Sequence, residues 1–105
     1  MAIRVPVPDG SITELVVDLA GNPDEAAIND AFRAAADGDL AGVLGYTDEE
    51  IVSSDVVGMP ESSLVDLNST NIINGGEMAK VLTWYDNEFG FANRMLDTGT
   101  YVVEN

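Results

Sequence analysis

Cysteine and histidine are both missing from this 105-residue chain, and basic side chains number only four against 19 acidic ones. Without cysteine there is no disulfide, no thiolate metal site and no thiol nucleophile. Without histidine the commonest general base and metal ligand are gone as well. The net charge of −15 argues against electrostatic attraction to nucleic acid or to an anionic membrane surface. No run approaches the roughly 20 apolar residues of a spanning helix, and the amino terminus has no charged-then-apolar signal segment, so the expected location is the cytoplasm. The length suits one small α+β domain with a single core. The acidic residues are scattered rather than clustered, among them Asp9, Glu14, Asp18, Asp24, Glu25, Asp30, Asp37 and Asp39. That distribution resembles a halophilic protein, whose self-repulsion is screened by concentrated salt; a merely acidic domain is the other reading.

What the chain does contain is most informative near its end. Lys80-Val81-Leu82-Thr83-Trp84-Tyr85 is an apolar, β-branched and aromatic run that predicts a buried strand ending at Tyr85. Asp86-Asn87 then breaks the strand, and either residue is placed to cap a helix from Glu88 to about Val103 with apolar side chains at Phe91, Met95, Leu96 and Val103. Gly99 and its β-branched neighbours weaken the last turns.

Further strands and one further helix are predicted upstream. Ala2–Val7 reads as a strand, Pro8-Asp9-Gly10-Ser11 as a turn and Ile12–Leu19 as a second strand, which together predict a hairpin. Asn22 as N-cap, Pro23 at the first helical position and Glu25 at the capping-box position open a helix whose stripe is Ile28, Ala31, Phe32 and Ala35 and which Gly38 closes. Its outer side, including Asn29, is expected to face solvent. Leu40–Tyr46 predicts a short strand, Thr47 to Glu50 a second capping box, and Leu64–Leu67 another strand. Asn68–Asn71 reads as loop, and Asn74-Gly75-Gly76 as a hairpin turn because the P-loop lysine and spacing are missing. The architecture expected is a mostly antiparallel sheet with one helix packed on it and a C-terminal helix.

Taken together, Trp84-Tyr85-Asp86-Asn87-Glu88 and the following Phe-Gly-Phe-Ala-Asn-Arg resemble the end of the catalytic domain of phosphorylating glyceraldehyde-3-phosphate dehydrogenase. Ala2-Ile3-Arg4-Val5-Pro6 is similar to its R-V-P strand, Ser11–Leu19 to its next strand, Gly42–Thr47 to its G-x-L-G-Y-T and Val52–Asp55 to its V-S-(S/T)-D. The resemblance implies that residues 1–105 are the C-terminal portion of that catalytic domain, haloarchaeal-like, without the dinucleotide-binding domain. It further implies that Asn87 binds the nicotinamide carboxamide of NAD or NADP, that Phe91 packs near the ring where the family usually has tyrosine, and that Arg4 lines a phosphate site. No residue here corresponds to the family's cysteine nucleophile or histidine base. The expectation is therefore a fragment that is inactive alone, binds no cofactor tightly and associates with itself or with dehydrogenase subunits. The alternative is a non-catalytic acidic module that pairs through its exposed sheet.

Overall fold

Strand β4 (Met78–Tyr85) has a partner on each side. It pairs antiparallel with β1 (Ser11–Asp18) from Ser11↔Tyr85 to Asp18↔Met78, and antiparallel with β3 (Ser63–Ile73), to which the turn Asn74–Gly76 joins it. β2 (Leu44–Thr47) adds to β3 in parallel, giving the order β1-β4-β3-β2. A parallel neighbour needs a long crossover. Here it is the segment 48–62, which contains a short 3₁₀ turn at Ser53–Val56. This computed structural model describes residues 1–105, and it has the expected α+β class, with two of the three strand pairings antiparallel.

Helix α1 (Glu25–Asp37) crosses one face of the sheet over β2 and β3. Ile28 and Phe32 from its apolar stripe pack with Leu44 on the buried trio Val65, Leu67 and Val81. Cross-strand partners lie on one side of a sheet, so Leu15, opposite Val81, shares that face. The helix does not reach that far, and Leu15 stays about half exposed. On the other face Ile12 and Val16 are exposed too.

Several expectations are corrected. Residues 2–7 form no strand and lie exposed, with no hairpin to β1. Pro6 and Pro8 bring no N–H to a ladder, and β1 instead finds eight register partners on β4. Asp24, not Asn22, caps α1, its Oδ1 accepting the Ala27 N–H at 2.8 Å. Asn22 has φ 47° and belongs to the preceding turn, while an aspartate at the cap also favours the positive helix end. Gly38 does close α1, at φ −118° rather than in the left-handed region. Thr47 starts no helix; its hydroxyl accepts the Glu49 N–H. β3 runs well past Leu67, with a register shift between Asp66 and Asn71, so the polar run read as a loop is an irregularity within a strand.

Asn29 explains how that irregularity is tolerated. It does not face solvent: its Nδ2 donates to the Leu67 carbonyl at 3.0 Å, and its Oδ1 accepts from the buried Thr70 hydroxyl at 2.7 Å. The amide thus satisfies groups that the shifted ladder leaves unpaired.

The last helix, α2 (Phe89–Glu104), is held only near its start. Gly90 is buried so tightly that a Cβ there would lie 2.7 Å from the Glu61 carbonyl oxygen. One turn on, Arg94 Nη1 donates to the Gly42 and Pro60 carbonyls and to Ser62 Oγ. Phe91, Met95, Leu96 and Val103 are all exposed. Replacing Asn29 with alanine should lower unfolding free energy by about 1–3 kcal/mol, the usual penalty for stranding buried polar groups. The neighbouring Asp30→Ala, which breaks only a surface pair with Arg33, should change little. Urea unfolding of the two variants gives the comparison.

Candidate functional site

Because Ser11 stands opposite Tyr85, the turn entering β1 meets the junction leaving β4. The two acidic and amide residues after Tyr85 are fixed there by different means. Asp86 is buried. Its Oδ1 accepts the N–H groups of Glu88 and Phe89, both at 2.9 Å, and its Oδ2 accepts that of Gly58 at 2.8 Å. Gly58 has φ +79°, a left-handed conformation that costs glycine little. One carboxylate therefore starts α2 and ties the crossover segment to the end of β4. The N-cap position of α2 is Glu88, not Asp86 or Asn87, and Asp86 reaches it from two residues upstream by accepting the Glu88 and Phe89 N–H groups.

Those N–H donors hold the Asp86 carboxyl far below the usual aspartate range, the Phe89 bond contributing most, then Gly58 and Glu88. Its stabilising contribution is present above the ordinary aspartate pKa and is lost only as pH falls through the depressed value, in strong acid. Glu88 shifts the other way. Desolvation by the surrounding junction raises its carboxyl although the residue is exposed, and the negative charges of Asp9 and Asp86 add to the shift.

Asn87 is exposed yet anchored. Its backbone N–H donates to Asp9 Oδ1 at 3.2 Å, and its Oδ1 accepts both the Gly10 N–H at 3.1 Å and the Ser11 hydroxyl at 2.9 Å. These contacts span up to 78 positions of sequence. Asp9, Gly10 and Ser11 read from sequence only as a turn; their role is visible once β1 is known to pair with β4. The side-chain Nδ2 of Asn87 has no partner in the chain, leaving two N–H donors for an acceptor such as a carboxamide carbonyl.

Arg4 and Phe91 are placed more loosely. Arg4 lies in the exposed N-terminal segment. Arg33, Lys80 and Arg94 each pair with a carboxylate, whereas Arg4 makes no ion pair. No contact joins it to Asn87. Phe91 is 69% exposed on α2. The carboxylates of Asp9, Asp86 and Glu88 offer oxygens within 4.8 Å of one another, but Asp86 already spends both oxygens on N–H donors. A cleft of about 420 Å³ lies by the β3–β4 turn, at the opposite end of β4, lined by Asn22 to Ala26, Ile72 and Gly75-Gly76. It has acidic side chains and no basic one, so it does not suit an anion.

The fold and junction together define an α+β domain that presents an anchored amide at a strand-to-helix turn and has no thiol or imidazole to pair with it. The chain belongs to the family described as glyceraldehyde 3-phosphate dehydrogenase, C-terminal domain, which matches residues 1–87. It is 60% identical over 104 residues to the glyceraldehyde-3-phosphate dehydrogenase of Haloarcula vallismortis, covering 99% of this chain and 30% of that protein. The enzyme of the same name from Mycobacterium bovis is 50% identical over 101 residues, 96% of this chain and 29% of its own length. That of Streptomyces coelicolor is 48% identical over 103 residues, 97% and 30%. The chain thus spans less than a third of the length of these relatives.

Replacing Glu88 with glutamine tests the electrostatics of the junction. A raised carboxyl pKa means that the contribution of Glu88 is present below about pH 4, the ordinary glutamate value, and is lost as pH climbs through the raised one. The variant should therefore melt at a higher temperature than the parent at pH 7 and match it near pH 3. Thermal scans at the two pH values check both halves of this expectation.

Proposed function

We propose that this chain is the C-terminal portion of the catalytic domain of an NAD(P)-dependent phosphorylating glyceraldehyde-3-phosphate dehydrogenase and contributes binding groups, not the nucleophile, to that reaction. The observation that carries the reading is the exposed amide of Asn87, anchored at its oxygen end and free at its nitrogen end. The chemistry that a nicotinamide held there would supply is acceptance of hydride from the substrate. The role of Asn87 is to hold the carboxamide and so the facing of the ring; Phe91, exposed near the start of α2, offers an apolar surface for the ring. Arg4, permanently charged and free of carboxylate partners, offers a fork of N–H donors to a phosphate group.

Oxidising an aldehyde to an acyl phosphate through a covalent intermediate needs a thiolate to attack and a base to take the proton. The 105 residues include no cysteine to supply the thiolate and no histidine to serve as the base. The exposed Phe91, Met95 and Leu96 form an apolar surface of a kind that marks a contact site, which supports packing of α2 against the remainder of a dehydrogenase subunit or against another copy. The excess of acidic residues supports a protein adapted to concentrated salt, in line with the Haloarcula relative. The cytoplasm is the compartment in which these features and this activity meet.

The isolated chain, mixed with glyceraldehyde 3-phosphate, phosphate and NAD or NADP, should not reduce the cofactor. Co-expressed in molar KCl with the preceding two-thirds of the Haloarcula vallismortis relative, it should copurify and restore reduction. Asn87→Ala should then lower kcat/KM by about tenfold, the effect of losing one well-placed hydrogen bond of about 1.4 kcal/mol. A copurifying pair with no activity, or full activity with Asn87→Ala, would overturn the proposal.

A further inference from the structure

We infer that Gly10 and Ser11 are positioning residues for Asn87, fixing which end of its amide faces a ligand; the identity of that ligand rests on the nicotinamide reading above. An asparagine amide has an accepting oxygen and a donating nitrogen, and at an exposed position either end can turn outward. Here the choice is made by the groups behind it. The Gly10 backbone N–H can only donate, so the end of Asn87 that lies 3.1 Å from it must be oxygen. The Ser11 hydroxyl donates to the same oxygen at 2.9 Å. The Asn87 backbone N–H donates to Asp9 Oδ1, so main chain and side chain are tied to one three-residue turn.

That turn is itself fixed. Gly10 has φ +98°, and a Cβ on it would stand 2.7 Å from the Ser53 carbonyl oxygen. A side chain at position 10 would both strain the backbone and collide with main chain that cannot swing away. On the other side, Ser11 is the first residue of β1 and is held by the ladder to Tyr85, two residues before Asn87. The donors therefore sit on rigid backbone and the amide has one orientation, with both hydrogens of Nδ2 facing outward. A site held this way presents donors to a ligand carbonyl without first having to order the side chain.

Three replacements of Ser11 separate tethering from folding. Ser11→Thr keeps the hydroxyl, Ser11→Val has the same branched shape without it, and Ser11→Ala removes both; threonine and valine both suit a strand. The measurement is ¹⁵N relaxation of the Asn87 side-chain amide in the labelled 105-residue chain, with backbone amide dispersion reporting the fold. In the parent and in Ser11→Thr the Asn87 amide should be nearly as ordered as rigid backbone, about 0.85. In Ser11→Val and Ser11→Ala it should drop below about 0.6. Equal order in the threonine and valine variants would overturn the inference, whatever the alanine variant does.

Titration with nicotinamide mononucleotide is read at the same resonance and judges the ligand separately. A shift of the Asn87 amide in the parent that is weakened in Ser11→Val supports both the positioning role and the nicotinamide reading. Loosening of the amide in Ser11→Val with no shift in any variant supports the positioning role and counts against nicotinamide. A shift of equal size in parent and Ser11→Val overturns the positioning role and leaves the nicotinamide reading standing.

Discussion

The Asp86 carboxylate joins the end of β4, the start of α2 and the crossover segment at one point. Two N–H groups at the start of α2 and one in the crossover segment converge on its two oxygens. Each is a charge-assisted bond, roughly twice as strong as a neutral one, and each satisfies a donor that no sheet or helix ladder reaches. Removing that acceptor frees the first turn of α2, and with it the close seat of Gly90 on Glu61. It also frees the neighbouring Asn87 to leave the turn that holds its oxygen. The depressed carboxyl of Asp86 and the raised one of Glu88 express the same arrangement: N–H groups are aimed at one acid, while desolvation and then the charges of Asp9 and Asp86 act on the other.

Much of this junction could be read directly from residues. The β-branched and aromatic run to Tyr85 gave a strand, Asp86-Asn87 gave a break, and α2 follows almost as drawn, from Phe89 to Glu104. The apolar stripe of α1 was equally plain, and Ile28 and Phe32 pack where their spacing puts them. The failures lie where partners are distant or competing. Nothing local says that β1 pairs with β4 rather than with the segment before it, since alternation fixes a strand's faces but not its neighbour. The spacing of α1 puts Asn29 off the apolar stripe and so toward solvent; the shifted ladder of β3 draws it inward. The polar run from Asn68 to Asn71 looked like loop because bulges and turns share a composition. At the site, Asn87 was found through resemblance, whereas Asp9, Gly10 and Ser11 became visible only through topology.

The remaining surface leaves much apolar area uncovered. Helix α2 leaves the body after its first turns and carries Phe91, Met95 and Leu96 into solvent. The sheet is covered by a helix on one face only, and there only over β2 and β3. With ten residues buried, the core alone is thin for a chain of this charge, and the self-repulsion of −15 acts against it unless salt or a partner surface intervenes. Arg4 is the one basic residue with no carboxylate partner.

Amide hydrogen exchange at Gly58, Glu88 and Phe89 tests most directly whether Asp86 organises the junction. All three lie outside the regular ladders or at a helix start, where unbonded amides exchange freely. The account predicts that all three are protected in the parent chain and lose protection together in Asp86→Ala while the β3–β4 ladder amides keep theirs. Free exchange of Gly58 and Phe89 in the parent, at the rate of an exposed loop, would contradict it.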